Sequence, residues 1–110
     1  MTRIVEAALK AFSEPRRRAI LTLVWDSERA AGDIASRFDV SHAAISQHLR
    51  VLKEAGLVSE RREGRRRLYR ARKESMQEIR SYLENFWDEA FERLRVEVEK
   101  EGGSRGPDRA

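Results

Sequence analysis

The chain has 110 residues, 38% of them charged and 40% apolar, with a formal net charge of +4 and no cysteine. That length suits one domain with a modest core, and the missing cysteine excludes disulfides, thiolate metal sites and thiol redox chemistry. No apolar run approaches a membrane span and no secretion signal opens the sequence, so a soluble, cytoplasmic protein with no membrane partner is expected.

Ile4, Val5, Ala8, Leu9 and Phe12 recur at helical spacing and predict a first helix over residues 3–12. Ser13 is the expected N-cap of a second helix. Pro15 falls in its first turn, where a missing N–H costs nothing, and Ile20, Leu21, Leu23 and Val24 form its buried face. The stretch AGDIASRFDVS predicts a short third helix with Ile34, Ala35 and Phe38 turned inward.

A fourth helix follows in SHAAISQHLRVLKEAG, residues 41–56, with Ser41 as N-cap and Gly56 where a left-handed C′ residue belongs. At about 100° per residue, Ala44, Ile45, His48, Leu49, Val51, Leu52 and Ala55 share the inward arc. The outer arc is unusual for so charged a chain. It opens with His42, Ala43, Ser46 and Gln47 and becomes charged only at Arg50, Lys53 and Glu54. A helix entering the DNA major groove needs small polar groups near its N-terminus, where side chains meet base edges. Gln can bridge the N6/N7 edge of adenine, Ser can donate or accept, and an Ala methyl can touch thymine. Arg50, further along, can reach a phosphate or a guanine. The competing explanation is an ordinary solvated face. His48 reads as a packed, hydrogen-bonded histidine, since it and His42 point in different directions and cannot share a metal.

Next, LVSERREGRRRLYRAR contains two short extended runs about a Glu63-Gly64 turn, the pattern of a hairpin. The adjacent apolar pair Leu68-Tyr69 leaves the strand faces unassigned. This segment is where the positive charge collects: residues 57–73 net +6, whereas residues 74–110 net −4. Arg62, Arg65, Arg66 and Arg67, with Arg61 before them, exceed what is needed to keep a strand edge from pairing. Cationic groups beside a groove-reading helix serve to hold phosphates.

From about Glu74 to Lys100 a long helix is predicted, near 40 Å at about 1.5 Å per residue. Ile79, Leu83, Phe86, Ala90 and Leu94 form a stripe that Trp87, Phe91 and Val98 widen. A domain this small cannot cover both sides of such a helix, and a second copy of the chain is the simplest cover. Residues 102–110 read as a disordered tail after a single domain over residues 1–101.

The predicted fold is therefore mainly α with a small β-hairpin: a winged helix-turn-helix of four helices, a hairpin wing and a long C-terminal helix. The segments EPRRRAIL, DIASRFDVSHAAISQHLRVLKEAGLV and REGRRRLYR, in this order and spacing, resemble the ArsR/SmtB family of winged-helix repressors over roughly residues 5–95. The ending YLENFWDEAFERL is most similar to the branch without metal-binding cysteines. The resemblance implies a homodimer on a palindromic operator in double-stranded DNA. His42, Ala43, Ser46 and Gln47 fall at the family's base-contacting positions, and the first and last helices form the dimer interface, here Ile4, Val5, Leu9, Phe86, Trp87, Phe91 and Leu94. Arg17 matches a position usually filled by Arg, with a structural role. The family's metal sensors carry Cys-x-Cys where Ala30 and Gly32 stand, and the last helix has no His, so no metal site and no cofactor are expected, and any small-molecule or protein effector is unspecified. The family's Asp-Pro entry to the last helix is replaced by Arg72-Lys73.

No catalytic set is present: no Gly-rich phosphate loop and no His–carboxylate pair at useful spacing. The expectation is a non-enzymatic, sequence-specific transcriptional regulator acting as a repressor. The alternative is a winged-helix module for protein–protein contact with weak, nonspecific DNA binding.

Overall fold

The computed structural model describes the backbone of residues 2–101 and the side chains of residues 5–101. The side chain of Ile4 and the tail 102–110 lie outside the described residues. In order, the elements are α1 (Thr2–Phe12), α2 (Pro15–Leu23), β1 (Arg29–Ala30), α3 (Ala31–Ser36), α4 (His42–Glu54), β2 (Val58–Glu63), β3 (Arg66–Ala71) and α5 (Lys73–Lys100). The fold is the expected winged helix-turn-helix, mainly helical with a small antiparallel wing. The chain divides into two units between Ile79 and Arg80.

In the first unit the core is built from Ile20 and Val24, Ile34, Ile45, Leu49 and Leu52 of α4, and Leu57 and Val58, each essentially without solvent contact. The helical spacing of the α4 trio brings all three to one side. Helix ends are secured by specific groups. Ser41 Oγ accepts from the amide of Ala44 at 3.1 Å, capping α4, and Gly56 takes φ +80° just past its end, the backbone state glycine enters without a Cβ penalty. Ser75 Oγ donates to the carbonyl of Gly56 at 2.6 Å, which ties the start of α5 to the end of α4.

Several local expectations are corrected. The N-cap of α2 is Glu14, not Ser13: the Glu14 carboxylate accepts from the amide of Arg17 at 3.0 Å, while Ser13 Oγ donates back to the carbonyl of Lys10 at 2.7 Å. The longer, charged acceptor takes the helix end and the hydroxyl closes α1. α3 stops at Ser36, so half-buried Phe38 sits in the turn rather than in the helix. α5 opens at Lys73, within one residue of the expected start, and the Lys73 ammonium pairs with Asp26 at 2.9 Å and lies 5.4 Å from the Trp25 ring centroid. The hairpin turns on Gly64-Arg65, because Glu63 is already paired with Arg66. Gly64, the first of these two, has φ +64°, as a two-residue turn of the type II′ kind requires.

β1 was not anticipated. It pairs with β3, making a three-stranded antiparallel sheet in the order β1-β3-β2. β3 is thus the central strand, and its neighbours Leu68 and Tyr69 are both buried although they point to opposite faces of the sheet.

In the second unit, the α5 residues from Arg80 onward expose Phe86, Trp87, Phe91, Leu94, Val96 and Val98. Trp87 stacks on Phe91 with centroids 5.7 Å apart, and Phe86 meets Trp87 edge-on at 5.4 Å. Among the described residues no helix is long and apolar enough to cross a membrane.

Candidate nucleic-acid interface

The outer arc of α4 is exposed as its composition requires: His42, Ala43, Ser46, Gln47, Arg50 and Lys53 all face solvent. Ala43 and Ser46 leave the front half of the helix slim. Gln47 is held: its Oε1 accepts from Arg50 Nη2 at 2.8 Å. Its amide nitrogen keeps two donors, and its oxygen keeps a second lone pair. The pair therefore still offers the acceptor-plus-donor edge that adenine matches.

Strand register sorts the wing. Val58, Glu60 and Arg62 of β2 stand opposite Ala71, Tyr69 and Arg67 of β3, so these six share one face, and alternation sends Arg61, Arg66, Leu68 and Arg70 to the other. The first face looks toward α4. A single groove is lined by Ser46, Gln47, Leu49, Arg50 and Lys53 from α4 and by Glu60, Arg67 and Tyr69 from the sheet, with Ala31 at one end. Of the expected DNA-contacting residues, the structure brings together Ser46, Gln47, Arg50 and Arg67 in this groove. His42 and Ala43 lie beyond it at the front of α4, Arg65 is at the turn, Arg62 is on the same face nearer the tip, and Arg66 is on the opposite face.

The charges are unequally committed. Arg61 is consumed by Glu28, a two-pronged pair with Nε and Nη2 donating at 2.7 and 2.8 Å. The hydrogen bond from Arg61 holds the Glu28 carboxyl below the usual carboxylate range, against the opposing pull of burial. Arg62, Arg65, Arg66 and Arg70 make no ion pair among the described residues, and all four are exposed.

Glu60 is the feature the sequence did not reveal. Its Oε1 accepts from Lys53 Nζ at 2.6 Å, its Oε2 accepts from the Tyr69 hydroxyl at 3.0 Å, and Arg67 Nε stands 3.7 Å from the same oxygen. The Lys53 hydrogen bond, chiefly, holds the Glu60 carboxyl below its ordinary range. Burial, then the Glu60 contact, pushes the Tyr69 phenol up, so it remains the donor. The strand alternation V58-x-E60-x-R62 was a usable signal for the face, but only with α4 already placed against it.

His48 is half-buried, with Nδ1 3.4 Å from Arg17 Nη1. Arg17 also donates through Nε to the carbonyl of Ala11 at 2.7 Å, so it ties α1, α2 and α4 together. Among the described residues no group of three or more His, Cys, Asp or Glu side chains could hold a metal ion. Of the expected interface residues on α1, Val5 and Leu9 are half-buried.

Residues 14–60 match the arsR family of bacterial regulatory proteins. Over 77 residues the chain is 39% identical to the transcriptional repressor SdpR of Bacillus subtilis, spanning 70% of this chain and 86% of that one. Among solved structures, an ArsR-like transcriptional regulator from Rhodococcus sp. RHA1 superposes with a TM-score of 0.78 at 30% identity, covering 89% of this chain and 92% of the other. The solution structure of a homodimeric winged helix-turn-helix DNA-binding domain from Mycobacterium bovis, a possible ArsR-family regulator, gives 0.65 at 32% identity over 84% and 85%.

Proposed function

The chain belongs to the ArsR family of bacterial regulatory proteins, DNA-binding transcriptional regulators rather than enzymes, and on that premise we propose that it is a homodimeric repressor of a palindromic operator that works without a metal sensor. α4 is the reader, with His42, Ala43, Ser46 and Gln47 toward base edges and Arg50 at their rear. Arg62, Arg65, Arg66 and Arg67 bind phosphates from the wing. The observation that carries this reading is the groove in which Ser46, Gln47 and Arg50 of α4 meet Arg67 of β3: two uncharged readers, a cation of the same helix and a wing cation face one space.

Dimerisation is supported by the exposed aromatic stripe Phe86, Trp87 and Phe91 with Leu94, an apolar patch of the kind a partner covers, and by the M. bovis relative, which is homodimeric. Two copies would present two reader helices to half-sites one helical turn, or a multiple of it, apart. Repression follows the B. subtilis relative. The lack of a metal sensor follows from Ala30 and Gly32 in place of the family's Cys-x-Cys.

The test is selection of genomic fragments by the purified protein, followed by titration with Zn²⁺, Cd²⁺, Ni²⁺ and arsenite. Enrichment of one or a few inverted repeats, with affinity unmoved by stoichiometric metal, is the expected result. Enrichment of none returns the chain to the protein-interaction alternative, and a tenfold, chelator-reversible loss with any of the four reveals a metal site.

A further inference from the structure

The groove between α4 and the wing holds one carboxylate among its described lining residues, and that carboxylate occupies two of the cations best placed to meet DNA. Glu60 is only 15% exposed, whereas the Lys53 and Arg67 side chains it engages are 54% and 55% exposed. The cations thus reach solvent while their countercharge sits at the groove floor, braced from a third side by the Tyr69 hydroxyl. A surface ion pair of this kind adds little to stability, and a carboxylate facing a phosphate backbone repels it.

We propose that Glu60 is a specificity-determining residue: an internal competitor for the DNA backbone that limits the sequence-independent affinity Lys53 and Arg67 add. This rests on the reading of α4 and the wing as the DNA-facing side. Phosphate contacts attract any duplex alike, and base contacts discriminate. On random DNA the protein is free to settle where its cations are best satisfied, so every uncommitted cation counts. On the operator, Ser46 and Gln47 fix the register, and cations outside that register gain less. By engaging two groove cations, cancelling one of their two charges, and pinning the wing to the reader helix through Lys53, Glu60 lowers the nonspecific term more than the specific one.

Glu60→Gln keeps the shape while removing the charge: its one amide oxygen can still accept from Lys53, and its amide nitrogen can donate to the Tyr69 hydroxyl. Salt titrations on operator and random duplexes of equal length are the readout. Each cation released to a phosphate steepens the log–log slope by about 0.9, so Glu60→Gln should steepen the random-duplex slope by about one to two units per wing. Random-duplex affinity at low salt should rise at least tenfold, and the operator-to-random ratio should fall at least threefold. Lys53→Met made over Glu60→Gln should take back about one unit of slope, whereas Lys53→Met alone should leave the slope nearly unchanged, and that single variant does not depend on Glu60→Gln folding. Tyr69→Phe, which keeps the carboxylate, should leave the slope as in the wild type. An unchanged slope and ratio in Glu60→Gln, equal weakening of both duplexes, or a full unit lost with Lys53→Met alone would each overturn the proposal. A wild-type protein that prefers no duplex would instead sink the operator reading, and the random-duplex slopes would still report on Glu60.

Discussion

Arg62 and Arg67 stand directly opposite one another across the hairpin, two guanidiniums as cross-strand neighbours on the face that looks toward α4. Like charges in this position destabilise a sheet by up to about 1 kcal/mol. Arg67 is relieved in part by Glu60 at 3.7 Å, and Arg62 makes no ion pair among the described residues. A fold that carries this pairing is explained if an anion settles between the two guanidiniums when the protein works. Arg62→Thr should therefore raise stability in urea by a few tenths to about 1 kcal/mol while weakening binding to operator and random DNA by similar factors. Loss of stability together with unchanged DNA affinity would show that Arg62 serves the fold and not the phosphate backbone.

Gln47 and Arg50 act as one unit, because the 2.8 Å hydrogen bond fixes the orientation of the Gln47 amide. Gln47→Ala should cost about 1–3 kcal/mol on the operator and much less on random duplex. Arg50→Ala should then lose discrimination as well as general affinity, since the amide it leaves behind is free to rotate. A double-mutant cycle on the operator should return a coupling of at least about 0.5 kcal/mol, and additive losses would mean that the two side chains act separately.

The helices were legible wherever a periodic apolar face met a recognisable end. Ser41 and Gly56 bracket α4 as expected, and Ile45, Leu49 and Leu52 are buried as their spacing requires. What escaped had no period to show. β1 is two residues long and exists only because β3 offers it an edge. The cap of α2 lay between two adjacent acceptors, Ser13 and Glu14, and side-chain reach decided it. The outer arc of α4 could be read from composition because a helix carries its own geometry. Glu60 could not, since its partners are fixed by how α4 lies on the sheet, a tertiary relation that no local pattern encodes.

Acid should act on the ion pairs that brace the wing. Glu28 and Glu60 are held below the usual carboxylate range, chiefly by hydrogen bonds from Arg61 and Lys53 respectively. A depressed folded-state value stabilises the fold above the unfolded value, about 4.3 for Glu, and that contribution disappears as pH falls through the folded value. The effect is thus complete at neutral pH and is lost progressively as pH falls below about 4.3. Thermal midpoints measured from pH 7 to pH 3 should fall less steeply in Glu28→Gln than in the wild type, with the curves converging at the acid end. Parallel curves would show that the Glu28–Arg61 pair contributes nothing to the fold.

Phe91 is 61% exposed on α5, with Trp87 stacked against it and Leu94 also exposed at 56%. In an isolated chain a glutamate at this position meets water and disturbs no core, so Phe91→Glu should keep the wild-type circular dichroism spectrum. In a dimer whose seam includes the stripe, the same carboxylate is buried without a partner, twice over, at a cost of about 3 kcal/mol or more, roughly a hundredfold in the dissociation constant. Sedimentation velocity should then show a folded monomer, and operator affinity should collapse toward the random-duplex value because one reader helix addresses only one half-site. Arg93→Glu, about 200° away around the same helix, changes the net charge by even more and should remain dimeric. If both variants dissociate, net charge is the cause, and if neither does, the aromatic stripe is not the seam and the two reader helices must be brought together elsewhere.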